Sequence, residues 1–175
     1  MKLNDIRSRV GYVPNTQQNA KAATRLWLTS FANTHPLALT LTLKQSIRVQ
    51  TPCGTHHRRI TRIDAERIAR QFQQKLNRVV FGKHQADRYG KSLKYIPVLE
   101  GERSGKHLHL HFAIGNLPPQ FKFNQFDSLV RQAKQHVADI DVQHKVDIAD
   151  SGWLEYITKE TAFTHSDNVL WTLVK

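Results

Sequence analysis

Cysteine is nearly absent: Cys53 is the single example in 175 residues. No disulfide can close within one chain, and no cysteine-based zinc site can form. That scarcity suits a reducing compartment, so the expected location is cytoplasmic. Long apolar runs are missing too. No stretch approaches the roughly 20 residues a membrane-spanning helix needs, and the opening MKLNDIRSRV lacks the apolar core of a signal peptide. No membrane partner is expected. Acidic residues are also few, with 14 Asp and Glu against 26 Lys and Arg, a formal net charge of +12. Such an excess goes beyond what solubility needs and points to a polyanionic partner. The basic residues are scattered through helices and loops rather than gathered on one amphipathic segment, which favours nucleic acid over a membrane surface. An apolar fraction of 39% at this length is enough for one domain with a real core.

What is present reads as alternating strands and helices. Residues 1–36 are expected to form an arm, interrupted by Gly11 and Pro14, followed by a short helix over 18–31 with Ala22, Leu26 and Phe31 on one side. Residues 37–175 form the domain proper. LALTLTLK alternates strictly, with Leu37, Leu39, Leu41 and Leu43 on one face and Thr40, Thr42 and Lys44 on the other, and predicts the first core strand. Residues 45–61 predict a loop or short hairpin extension, with His56, His57, Arg58 and Arg59 clustered at its end. Ile68, Phe72, Leu76, Val79 and Val80 then recur at helical spacing and predict a helix over 62–81, stopped by a turn at GKHQADRYGK. LKYIPVLE is the second strand, closed by Glu100, and GERSG turns it back into the stretch KHLHLHFAI as a β-hairpin. Pro118 and Pro119 make a rigid connector. Asn124 looks like an N-cap, with Asp127 three residues on, for a helix carrying Phe126, Leu129, Val130, Ala133 and Val137. HKVDIAD is a short fourth strand, Ser151 caps a helix WLEYITKETAF, and HSDNVLWTLVK is a terminal strand or a docked tail. This β-α-β-β-α-β order predicts an α+β, ferredoxin-like (split β-α-β) fold, an antiparallel sheet with helices on one face and a further C-terminal helix. The first and third core strands lie in its centre.

The third strand carries the chemistry. Its period of two sets His107, His109 and His111 on one face and Leu108, Leu110 and Phe112 on the other. Imidazoles lined up on an apolar strand need partners, either a shared divalent cation or neighbouring side chains and water. Glu100, across the hairpin, can bring a carboxylate to them. On the last helix Tyr156 and Lys159 stand three residues apart and so point to nearly the same side. Each also has a structural reading: a tyrosine anchoring its helix, a lysine facing solvent, and Trp153 as a core anchor rather than a base-stacking platform.

The apolar strand LALTLTL, then HLHLHFAIG, then YITK follow one another in the order of the motifs of the HUH endonucleases, and the chain resembles that family over about residues 37–162. The resemblance is to the single-tyrosine, rolling-circle replication (Rep) type. It implies a metal-dependent, sequence-specific nicking and joining enzyme that acts on single-stranded DNA, at a replication origin or hairpin, through a 5′-phosphotyrosine intermediate. It implies Tyr156 as nucleophile with Lys159 beside it, and His109 and His111 as ligands of Mg²⁺ or Mn²⁺. Glu100 is the expected third ligand, with Glu102 and His107 as alternatives. Arg58, Arg59, Thr42 and Lys44 are the expected DNA contacts. No GxxxxGK[ST] loop is present, so a helicase working with this chain would be a separate protein. The competing expectations are a non-catalytic nucleic-acid-binding module on the same scaffold, and a transposase or relaxase of the same superfamily.

Overall fold

The computed structural model describes residues 34–102, 107–157 and 168–175, together with Ala23, Leu26, Trp27 and Ser30. The expected N-terminal arm, the Arg103–Ser104 turn and Lys159 lie outside the described residues. The elements are β1 (Leu37–Leu43), β2 (Ser46–Thr51), β3 (Gly54–Arg59), α1 (Arg62–Phe81), α2 (Lys83–Arg88), β4 (Lys94–Glu100), β5 (His109–Gly115), α3 (Phe123–Lys134), β6 (Ile140–Ile148), α4 (Ser151–Ile157) and a 3₁₀ turn at Trp171–Leu173. The protein is α+β, and its main sheet has four strands in the order β4-β5-β1-β6. Every neighbouring pair is antiparallel. The LALTLTL strand and the histidine strand therefore occupy the centre, as their patterning requires.

One face of this sheet makes the main core. Leu37, Leu39, Leu41 and Leu43 of β1 and Leu110, Phe112 and Ile114 of β5 are buried against Ile68, Phe72 and Leu76 of α1 and Phe126, Val130 and Ala133 of α3. The Phe72 and Phe112 rings lie 5.6 Å apart, and truncating either to alanine would cost about 3–5 kcal/mol. On the opposite face Ile96, Val98 and Ala113 form a smaller apolar patch, covered by Ile157 and Trp153 of α4 together with Val169 and Trp27. This patch is what seats α4 on the histidine side of the sheet. The C-terminal segment docks along β4: Val169 bridges Val98, and the Tyr95 and Lys175 backbones exchange two hydrogen bonds of 3.0 Å. The tail thus closes one edge of the sheet.

Several sequence expectations need correction. Of the two readings of residues 45–61 the hairpin holds, β2 on β3, whereas the supposed turn after α1 contains the short helix α2. The fourth core strand begins at Ile140 rather than His144. As an edge strand it tolerates an exposed Val142, so its alternation is blurred. The histidine strand begins at His109, leaving His107 just before it. Asn124 does not cap α3. The cap is Lys122, whose N–H donates to the Gln125 side chain at 2.8 Å, while Asp127 accepts instead from Arg131 at 2.7 Å and His144 at 2.9 Å. α4 begins at Ser151 itself, and Asp150 just before it caps the helix, its Oδ1 accepting from the Trp153 N–H at 2.7 Å. In the N-terminal helical residues Leu26 is exposed, and it is Trp27 that packs, 4.8 Å from Trp171. Among the described residues no helix is long and apolar enough to cross a membrane.

Candidate active site

The strand registers place the expected site residues side by side. Glu100 pairs with His109, His109 with Thr42, and His111 with Thr40, so adjacent rows of β4, β5 and β1 carry them on one face. The next strand extends the row, with Lys145 opposite Thr40. A cleft of about 500 Å³ opens over these residues, lined by Glu100, His107, His109, His111, Lys145 and Tyr156 among others. Tyr156 is half exposed, at 48%, and its ring stands edge-on to that of His111, with centroids 5.8 Å apart. Trp153 approaches His111 from the same helix at 6.3 Å. It packs against the small apolar patch, as the core-anchor reading expects, and also walls the cleft.

His111 is the most confined group in the cleft, only 3% exposed. Its Nε2–H donates to Glu100 Oε2 at 2.6 Å, and Thr40 Oγ1 lies 3.0 Å from its Nδ1. Thr42 Oγ1 lies 3.4 Å from Nδ1 of His109. Both imidazoles are therefore steered through Nδ1 by hydroxyls of β1, with Nε2 turned away from that strand. This is how metal-ligating histidines are commonly held, by a second partner on the other nitrogen. A hydroxyl can donate or accept, so His111 can carry its proton on Nε2 with Glu100 as partner, or on Nδ1 when Nε2 binds a cation.

Two imidazoles and a carboxylate match the donor chemistry of a divalent ion such as Mn²⁺ or Mg²⁺. As the side chains stand, no group of three or more His, Cys, Asp or Glu among the described residues encloses a cation. Glu100 is bonded directly to His111, and the His109 and His111 rings are 6.3 Å apart. The set fits an ion in kind, and binding one requires the Glu100–His111 hydrogen bond to open. Glu102, the alternative third ligand, forms an ion pair with Arg62 at 2.7 Å. His107 lines the cleft, but its Nε2 lies 2.8 Å from the Gln45 amide nitrogen.

The expected DNA contacts divide. Arg58 is held by Asp64 in a two-bond fork of 2.6 and 2.9 Å, and this guanidinium draws the Asp64 carboxyl well below the usual carboxylate range. Arg58 is therefore a structural clamp on the N-terminus of α1, and Thr42 orients His109. Lys44 and Arg59 remain exposed at a second cleft. Of the other tyrosines, Tyr95 is buried, donates to Asn77 Oδ1 at 2.8 Å, and has its phenol pKa raised well above the ordinary value by burial. Tyr89 follows α2 and packs on His84.

Thr40, Lys145 and Asp147 are cleft residues that the motif reading missed. Thr40 and Thr42 share the alternation of β1 with the leucines, which was signal enough to put them on the face opposite the leucines, although not to give Thr40 a role or to set Thr42 beside His109. Comparison with protein-family models, curated proteins and solved structures finds no match for this chain.

Proposed function

We propose that this protein is a metal-dependent, sequence-specific single-stranded DNA endonuclease and ligase of the rolling-circle replication initiator kind, built on a ferredoxin-like split β-α-β scaffold. The observation that supports this most is the meeting of Tyr156 with His111, 5.8 Å between ring centroids, in one cleft with His109 and Glu100. The two motifs are more than 40 positions apart in sequence, and the topology brings them together. A binding module of the RNA-recognition kind would instead present aromatic rings for base stacking on the two central strands.

In this reading the Tyr156 oxygen attacks the scissile phosphorus. A tyrosine–phosphorus bond forms, the bond to the 3′ oxygen breaks, and that oxygen leaves and takes up a proton. Attack by another 3′-hydroxyl reverses the step, seals the strand and returns the phenol. His109, His111 and Glu100 would hold the divalent cation, which when bound withdraws charge from the non-bridging phosphate oxygens. Lys159 is proposed to steady the developing phenolate, as its place in YITK implies. A cytoplasmic setting, a separate helicase and an origin or hairpin substrate belong to the same proposal.

The test is incubation with a pool of labelled single-stranded oligonucleotides and Mn²⁺. The expected product is a denaturant-stable protein–DNA adduct on the peptide containing Tyr156, abolished by EDTA and by Tyr156→Phe, which deletes one oxygen and keeps the ring. An adduct on Tyr89, or wild-type activity in Tyr156→Phe, would overturn the assignment.

A further inference from the structure

Beside the tyrosine cleft lies a second one of about 430 Å³, lined by Lys44, Gln45, His57, Arg59, His107 and Leu108 among others. His107 lines both clefts, and the Gln45–His107 contact of 2.8 Å sits in the wall they share. Backbone hydrogen bonds fix its frame. Leu43 donates to the Leu108 carbonyl at 2.9 Å, and Ile60 donates to that of Gln45 at 3.2 Å, tying the base of the β2–β3 hairpin to the end of β1 and the start of β5. The Arg58–Asp64 fork anchors the same hairpin to α1. Among the described residues lining this cleft none is a carboxylate. With Arg58 neutralised by Asp64, Lys44 and Arg59 give it a net positive charge.

We infer that this cleft is a base-reading subsite that takes one nucleotide of the single strand whose neighbouring phosphodiester lies in the tyrosine cleft. The placement beside that phosphodiester rests on the strand-transfer reading above; the binding of a nucleotide does not. The volume is that of a small-ligand pocket, within the range of about 300–1,000 Å³ in which single nucleotide units are held, and far too small for a duplex. Lys44 and Arg59 supply phosphate contacts, which position a strand without reading it. Gln45 offers an amide that can donate and accept at once, as needed to read a base edge, and the His57 ring offers a stacking surface. Leu108 and Ile60 give the base face an apolar neighbour.

The experiment is selection from a randomised single-stranded DNA pool in EDTA, where no cleavage enters, followed by fluorescence anisotropy on the selected strand. It compares wild type with Gln45→Ala, His57→Ala and the double variant Lys44→Ala/Arg59→Ala. All four side chains are exposed, so these variants keep the fold. Gln45→Ala and His57→Ala are expected to relax the selected base at one or two adjacent positions and leave the rest of the consensus unchanged. The double variant should weaken all sequences alike, by tenfold or more, and flatten the salt dependence by about 0.7 log units for each phosphate that is no longer neutralised. An unchanged consensus and affinity in all three variants would overturn the inference. So would a deoxynucleoside triphosphate that binds through Lys44 and Arg59 without competing with the strand, or a cleft-dependent preference for an RNA pool. Altered selection in a protein that forms no adduct would sink the nicking reading alone, and adduct formation with unaltered selection would sink the subsite alone.

Discussion

His111 has both ring nitrogens engaged, one by the Thr40 hydroxyl and one by Glu100. The functional consequence lies with the threonine. A hydroxyl that fixes the ring leaves Nε2 as the atom presented to the cleft, and losing it frees the ring to rotate. Thr40→Val keeps the shape and the β-branching of the side chain, so β1 should form as before. It is expected to lower Mn²⁺ affinity by about 10–100-fold, the usual cost of removing a ligand's second partner, as read by calorimetric titration with the metal. Unchanged Mn²⁺ binding in this variant would show that the imidazoles are not ligands held in this way. At this scale the sequence disclosed the histidines and Glu100, because strand period and hairpin geometry suffice to align them, and Tyr156 through its spacing from Lys159 and the family resemblance. It did not disclose the Arg58–Asp64 fork, because the sequence shows a basic cluster but not the helix N-terminus folded against it.

At the scale of elements, that arginine explains why the hairpin and α1 stay together. Thr61 and Asp64 cap α1 reciprocally: the Asp64 carboxylate accepts from the Thr61 N–H at 2.9 Å while Arg58 forks onto it from β3. Asp64 titrates below its ordinary value in the folded chain, chiefly through the Arg58 hydrogen bonds. Its stabilisation is therefore complete above the unfolded carboxylate value of about 4 and is lost as pH falls below that toward the depressed folded value. Asp64→Asn is expected to cost about 1–2 kcal/mol at pH 7. The gap from wild type should narrow in urea melts as the pH is taken from 5 to 3, and a constant gap would mean that the charge of Asp64 contributes nothing. Gly115 makes a second tight joint, since a Cβ there would collide with the Thr34 carbonyl. Gly115→Ala should lower the thermal midpoint, whereas Gly152→Ala, whose added carbon meets only an ordinary contact, should not do so by steric clash. The elements that were legible are those with a strong apolar pattern, β1, α1, the β4–β5 hairpin and α3. The exposed helix α2 and the first half of β6 carry little apolar periodicity, so turn residues and weak alternation hid them, and the exposed hairpin β2–β3 could be read only as a loop or a hairpin.

For the whole molecule, the formal charge of +12 does not say which cations meet a phosphate. Arg58, Arg62, Arg67, Arg78 and Arg131 are each paired with a carboxylate of the same chain. A phosphate approaching one of these arginines would compete with, or share the guanidinium with, the carboxylate already there. Among the described residues, the cations that line the two clefts without being held by a carboxylate fork are Lys44 and Arg59, while Lys145, at the edge of the tyrosine cleft, faces Asp147 at 2.9 Å across a well-exposed contact. Surface pairs of that kind are weak, and a phosphodiester can displace the carboxylate. Three phosphate contacts would give single-stranded binding a slope of about −2 in log K against log salt, well short of the value of about −8 that twelve contacts would give. The two cases are easily separated by anisotropy between 50 and 300 mM NaCl. Lys145→Ala should reduce the slope by about 0.7 if its ammonium neutralises one phosphate, while Arg67→Ala, which breaks an exposed pair with Asp139, should leave the slope unchanged. Equal effects of the two substitutions would mean that the protein binds DNA through its overall positive field, with no particular role for the clefts.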